Sequence, residues 1–330
     1  MITVAITARN EANSIADCLC SLQKAVQLAE QKLDMKLQLV VILNDCTDDT
    51  EAIVLQQYPG IEIIHTSGGI VEAQRAVAHR QPFVIFSDAD LLYEPETIYL
   101  LVQTMLSKPE LQVAYPQKRP LPPLKRTLVS AMLYSYNLNN GFQVHRPYFD
   151  GKCFAIRNWS VPAQQEVQAR ASQLTNDPFL DYKTGMRVDD IYLSRFILSS
   201  HGSSAICEVP GALIHFRPPA TLSGMYQTSK RMTVEFERMD NLFPELAHRH
   251  VVRKRDEPAW RGATRQQRGL HRLFLICLQG CNLRLSAERW ISRIRGVSPD
   301  HWPAIPETKQ SPIDKGSTKQ HTNSNADHSA

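Results

Sequence analysis

Two carboxylates stand one residue apart in Phe86-Ser87-Asp88-Ala89-Asp90-Leu91, directly after the apolar run Phe83-Val84-Ile85-Phe86. In an open α/β sheet, ligands bind beyond the carboxyl ends of the strands, so a strand ending there aims both groups into the binding crevice. Their spacing lets them share one cation. Hard oxygen ligands suit Mg²⁺ or Mn²⁺, which bind through one or two carboxylates while substrate phosphates complete the shell. A solvated aspartate pair in a turn is the plain alternative. A second pair, Asp189-Asp190, opens an apolar-periodic segment containing Ile191, Leu193 and Phe196. Carboxylates at a helix N-terminus are stabilised by the helix dipole, so a cap is one reading of that pair. His215, in Leu-Ile-His-Phe-Arg-Pro-Pro, is either a satisfied structural histidine or a ligand.

The elements that must position these groups follow a βαβ pattern. Short apolar or β-branched runs at Ile2–Thr7, Leu37–Leu43, Ile61–Ile64, Phe83–Ser87 and Gln112–Tyr115 alternate with segments of helical period, as in a mostly parallel sheet flanked by helices. The first helix carries Ile15, Leu19, Leu22 and Val26 on one face, and others are expected at Thr47–Gln57, Ile70–His79 and Pro95–Leu106. Three prolines in Lys118–Arg126 predict a crossing loop. A helix at Leu128–Leu138, a strand at Lys152–Ile156, a polar Gln- and Ala-rich linker, a helix from Asp189 and a strand at Ser204–Val209 follow.

Further segments join the aspartates in family order and together resemble a family 2 glycosyltransferase of the GT-A fold. Thr-Ala-Arg-Asn-Glu (7–11) is similar to that family's P-A-Y-N-E, and Leu-Asn-Asp-Cys-Thr-Asp-Asp-Thr (43–50) to its D-D-G-S-T-D-G-T. Gly68-Gly69 with Arg75, the Asp-Ala-Asp at 88–90, Gly-Lys-Cys-Phe-Ala-Ile-Arg (151–157) and Val-Asp-Asp-Ile-Tyr-Leu-Ser-Arg (188–195) complete the succession. The resemblance implies that Thr7, Arg9 and Glu11 line a nucleotide pocket, with Asn44, Asp45 and Arg75 nearby and Asp88 on the ribose. Asp90 and Asp88, with His215, would hold a divalent metal, Mn²⁺ or Mg²⁺, on the diphosphate. Asp190, with Asp189 beside it, would be the general base of an inverting, single-sugar transfer from a nucleotide sugar to an acceptor hydroxyl. Leu43 replaces the family's uracil-reading aspartate, so a GDP-sugar is as admissible as a UDP-sugar. The implied division is a catalytic domain over 1–217 (nucleotide-sugar half 1–116, acceptor and base half 117–217), a basic helical extension over 218–300 and an unstructured tail over 301–330.

Charge follows the same division. Residues 1–216 hold 18 Lys and Arg against 22 Asp and Glu, whereas residues 217–295 hold 16 against 7. Clustered positive charge suits nucleic acid. Here, however, Leu270, Leu273, Phe274, Cys277, Leu278 and Cys281 form an apolar stripe at helical spacing. That pattern leaves two uses for residues 253–295: packing on the catalytic domain, or a peripheral contact with an anionic membrane that would suit a lipid-linked, cell-envelope acceptor. Nucleic acid is not expected. Neither a spanning run of about 18 apolar residues nor a secretory leader is visible, and the seven cysteines form no CxxC pairs. A cytoplasmic enzyme is therefore expected, at most peripheral at the inner membrane face. Two rival classes remain. A nucleotidyltransferase would carry a Gly-rich loop after the first strand, which Thr-Ala-Arg-Asn-Glu lacks, and a non-catalytic nucleotide-sugar or nucleic-acid binding protein has no need of a base.

Overall fold

Ile2–Ala8 (β1) is a nearly continuous β-compatible run, buried along almost its whole length, as a strand covered on both faces requires. It is followed by α1 (Ile15–Leu33), β2 (Leu37–Asn44), α2 (Thr50–Gln57), β3 (Glu62–Thr66), α3 (Ile70–Arg75), β4 (Val84–Asp88), β5 (Leu91–Tyr93) and α4 (Thr97–Ser107). The second half contains β6 (Val113–Pro120), α5 (Leu128–Leu138), β7 (Cys153–Ile156), α6 (Gln164–Ala171), α7 (Asp190–Ser200) and β8 (Ile206–Phe216). Four helices close the order: α8 (Leu222–Leu242), α9 (Pro244–Ala247), α10 (Glu257–Gly262) and α11 (Arg265–Arg295). This computed structural model describes residues 1–80, 82–144, 148–175, 177–182, 185–247, 254–297 and 305–310.

The eight strands form one sheet in the order β3-β2-β1-β4-β7-β6-β8-β5. Pairing is parallel from β3 through β4, and β7 then inserts antiparallel between β4 and β6. The parallel half brings the carboxyl ends of β1, β2 and β4 together, with Thr7 opposite both Ile42 and Asp88. The antiparallel β7 enters from the other direction, so its first residues lie beside the last residues of β4, with Cys153 opposite Ser87. That reversal builds the site.

A helical layer covers each face. One core joins Val4, Ile6, Val41 and Ile85 to Ile15, Leu19 and Leu22 of α1 and Ile98, Leu101 and Val102 of α4. The other joins Val40, Phe86 and Phe154 to residues of α5, α7, α8 and α11, among them Met132, Ile191, Val234 and Phe274. The alternation of strand residues between the two cores is the period-2 geometry of a strand.

Several elements depart from expectation. The proline-rich segment does not leave the sheet at Lys118, because β6 continues to Pro120 after a register shift at Pro116/Gln117. Among the described residues β7 pairs with β6 only at Val113 and Ala114, so beyond them β6 is bonded on the β8 side alone. A strand bonded on one side tolerates proline. The helix expected over Ile70–His79 ends at Arg75, the strand expected at Ser204–Val209 runs on to Phe216, and the Gln- and Ala-rich linker contains α6, which buries Val167. The short β5 was not expected.

The basic extension is helical as expected, and α11 starts with a capping box in which Thr264 and Gln267 satisfy each other's backbone N–H groups. The apolar stripe read in the sequence packs inward: Phe274 and Cys281 are buried, Leu270, Leu273, Cys277 and Leu278 rest against the core, and Phe274 stacks on Tyr136 at 3.6 Å. Among the described residues no helix is long and apolar enough to cross a membrane. Of the segment expected to be an unstructured tail, residues 305–310 are described, with a 3₁₀ turn at Pro306–Lys309 and Ile305 buried. Residues 301–304 and 311–330 lie outside the described residues.

Candidate active site

The loop after β1 and the loop after β2 brace each other through side-chain bonds to backbone amides. Asn10 Oδ1 accepts from the Thr47 amide at 2.7 Å, Asp48 Oδ2 from the Ala12 amide at 3.0 Å, and Thr50 Oγ1 from the Glu11 amide at 2.8 Å. Asn10 and Asp45 both adopt positive φ, 57° and 50°, a conformation that asparagine and aspartate tolerate better than most residues. Asn44 and Asp45 accept from the amides of Gly69 and Gly68, each at 3.3 Å. Thr7, Arg9, Glu11, Asn44 and Asp45 therefore belong to one rim of the sheet. Arg75 points elsewhere: it binds Glu72 and the carbonyls of Val161 and Pro162, with its guanidinium over Trp159.

Asp88 ends β4, and its amide donates to the Lys152 carbonyl at 2.8 Å. Lys152 Nζ stands 3.5 Å from Asp88 Oδ2 and 3.7 Å from Asp90 Oδ1. One residue earlier, the Gly151 amide donates to Asp190 Oδ2 at 3.1 Å, while Asp190 Oδ1 accepts from the Ile191 amide at 2.8 Å. A single three-residue loop, 150–152, thus contacts both aspartate pairs. Gly151 makes a close approach, since a Cβ there would lie 3.2 Å from the Asp190 carboxylate carbon. Asp150 anchors the loop, accepting from the Lys152 amide at 3.1 Å and pairing with Lys118. Asp189 is buried and accepts from Gln74 Nε2 at 2.6 Å, and Gln74 accepts in turn from the Trp159 indole at 2.9 Å.

The electrostatics separate these carboxyls. Burial, reinforced by the neighbouring charges of Asp189 and Asp150, pushes Asp190 up to about 7. Burial also raises Asp189 and raises Asp88 well above the ordinary range, with Lys152 partly opposing it at Asp88. At Asp150 the ammonium groups of Lys118 and Lys152 overrule burial and hold the carboxyl down. A carboxyl poised near 7 is suited to act as a general base.

Asp90 Oδ1 is buried and accepts no hydrogen bond. Two hard oxygens, one of them unsatisfied, fit a Mg²⁺ or Mn²⁺ ion whose remaining ligands come from a diphosphate. His215 is not placed with them; its Nε2 lies 2.8 Å from Glu94 Oε1. Among the described residues no cluster of three or more His, Cys, Asp or Glu could hold a metal alone.

Sequence reasoning missed Lys152, Asp150, Gln74 and Lys309. Lys309 Nζ reaches the Arg9 carbonyl at 2.5 Å and Glu11 Oε1 at 2.6 Å. Burial raises the Glu11 carboxyl while Lys309 lowers it. Within the quoted Gly-Lys-Cys-Phe-Ala-Ile-Arg, only the antiparallel sense of β7 reveals that Lys152 faces Asp88, and a single sequence does not carry that sense.

Residues 3–160 match the family described as Glycosyl transferase family 2. None of the curated proteins matches the chain. Among solved structures, the chain is similar to glucosyl-3-phosphoglycerate synthase from Mycobacterium tuberculosis, crystallised with Mn²⁺, UDP-glucose and phosphoglyceric acid, at 18% identity and TM-score 0.43, over 72% of this chain and 79% of that one. It is also similar to mannosyl-3-phosphoglycerate synthase from Rubrobacter xylanophilus, at 15% identity and TM-score 0.46, over 76% of this chain and 75% of that one. Residues 3–160, the span similar to the glycosyl transferase family 2 model, hold seven of the eight strands.

Proposed function

We propose that the protein is a divalent-metal-dependent, inverting glycosyltransferase that moves one sugar from a UDP- or GDP-sugar to an acceptor hydroxyl, with Asp190 as its base. The observation that carries this reading is the linkage of Asp190 to the Asp88–Asp90 pair through the 150–152 loop. A bound Mn²⁺ or Mg²⁺ would supply charge neutralisation for the departing diphosphate, and Asp88 and Asp90 would hold it. Asp190 Oδ2, fixed by the Gly151 amide, accepts the acceptor proton while the acceptor oxygen attacks the anomeric carbon. Displacement in one step from the face opposite the nucleotide inverts the configuration. Thr7, Arg9, Glu11, Asn44 and Asp45 would receive the nucleoside. Asp189, held by Gln74, keeps a second carboxyl beside the base and helps raise it.

For the acceptor, the favoured class is a lipid-linked hydroxyl at an anionic membrane surface, and the supporting feature is a second apolar stripe on α11. Ile276, Leu283, Trp290 and Ile294 recur at i, i+7, i+14 and i+18 and are 64%, 74%, 67% and 64% exposed. Arg265 and Arg272 continue the same face toward the N-terminus. An exposed apolar stripe with arginine on a segment rich in positive charge complements acidic headgroups.

The test is a panel of UDP- and GDP-sugars with Mn²⁺, reading hydrolytic release of the nucleoside diphosphate with and without EDTA. Metal-dependent release from one donor is the expected result. Release that ignores EDTA, or no release from any donor, would remove this reading.

A further inference from the structure

We propose that Lys152 is the resident cation of the Asp88–Asp90 pair in the donor-free protein, and that it excludes a divalent metal until the metal arrives on a nucleoside diphosphate. The inference rests on the metal-dependent reading above and adds an order of binding to it. Its basis is the position of Nζ, between the two carboxylates at 3.5 and 3.7 Å rather than on either at the 2.7–2.9 Å usual for a charge-assisted bond. One ammonium therefore offsets half the charge of a pair that would otherwise repel itself in a half-buried site.

The lysine is held to that place by its own backbone. Its carbonyl accepts from the Asp88 amide and its amide donates to Asp150, so the side chain starts within reach of β4 whatever its rotamer. The Phe216 ring, 5.6 Å from Nζ, backs the ammonium. Asp90 Oδ1 receives no hydrogen bond from the protein, which leaves it for a cation.

Charge decides the order. Two carboxylates and a divalent ion sum to zero, which is a stable binary complex. Adding the Lys152 ammonium leaves one uncompensated positive charge, and Coulomb repulsion at a few ångströms in a partly buried site disfavours that state. A diphosphate supplies the missing negative charge, receives the displaced ammonium and so couples metal binding to donor binding. Such coupling is reciprocal: whatever factor the diphosphate adds to metal affinity, the metal adds to diphosphate affinity.

The test is Mn²⁺ titration followed by electron paramagnetic resonance of the free ion, on the full chain, with and without UDP or GDP. Wild type is expected to bind Mn²⁺ at least about tenfold more tightly with one nucleotide present. Lys152→Met should bind Mn²⁺ alone at least about tenfold more tightly than wild type, with the nucleotide's enhancement correspondingly reduced. Lys152→Arg, which keeps the charge, should behave as wild type and controls for disturbance of the loop. Equal nucleotide-free affinity for wild type and Lys152→Met, within about twofold, would overturn the exclusion while leaving a metal enzyme. Tight nucleotide-free binding by wild type would do the same. Failure of all three proteins to bind Mn²⁺ under any condition would overturn both the exclusion and the metal-dependent reading.

Discussion

At the residue scale, the proposed chemistry depends on one carboxyl whose surroundings differ from those of its neighbours. Asp190, raised to about 7 by burial and by two nearby carboxylates, must be deprotonated to accept a proton. Transfer should therefore rise with pH through about 7 and level off above it, and a pH-rate profile of kcat checks this. A profile already flat from pH 5 to 9 would remove Asp190 as the base. Gly151 offers a gentler probe, because a Cβ would press within 3.2 Å of the same carboxylate. Gly151→Ala should lower kcat about tenfold through displacement of the base and leave donor affinity unchanged, as single-turnover rates beside donor titrations would reveal. The acidic groups themselves were legible in the sequence, since Asp88, Asp90, Asp189 and Asp190 announce themselves by type and spacing. Their cationic and amide partners were not: Lys152, Gly151 and Gln74 acquire meaning only from contacts across 64, 39 and 115 residues of chain.

At the element scale, the parallel half of the sheet was readable because β-branched runs alternate with amphipathic helices. The second half was less so. Its strands include an antiparallel β7, a three-residue β5 and a β6 containing two prolines, and each is stabilised by pairing partners rather than by its own composition. Such long-range pairing outweighs local propensity. The same distinction applies to α11, whose two apolar stripes have different fates. Phe274→Ala should destabilise the protein by about 3 kcal/mol, since it removes a buried ring stacked on Tyr136, and thermal or urea unfolding measures it. Trp290→Glu, on the exposed stripe, should change stability by less than about 0.5 kcal/mol yet reduce flotation with anionic liposomes. Flotation unaffected by Trp290→Glu, or absent in the wild type, would remove the membrane surface from the account.

At the scale of the whole molecule, the uneven charge marks two regions, an acidic body that holds the carboxylates and a basic helical segment laid against it. The chain then returns to its beginning, where Lys309 binds Glu11 and the Arg9 carbonyl at the rim assigned to the nucleoside. A protein ending at residue 304 should bind nucleoside diphosphate several-fold more tightly, because that ammonium no longer competes for the rim; calorimetry of both lengths decides it. Above this detail stands the claim that one carboxylate base and one carboxylate-bound metal together perform a glycosyl transfer. The most direct test compares wild type with Asp190→Asn for release of nucleoside diphosphate from the donor that the panel identifies, with donor affinity measured on the same samples. The account predicts retained donor binding and a rate lowered about 100-fold or more in Asp190→Asn, whereas release at the wild-type rate would contradict it.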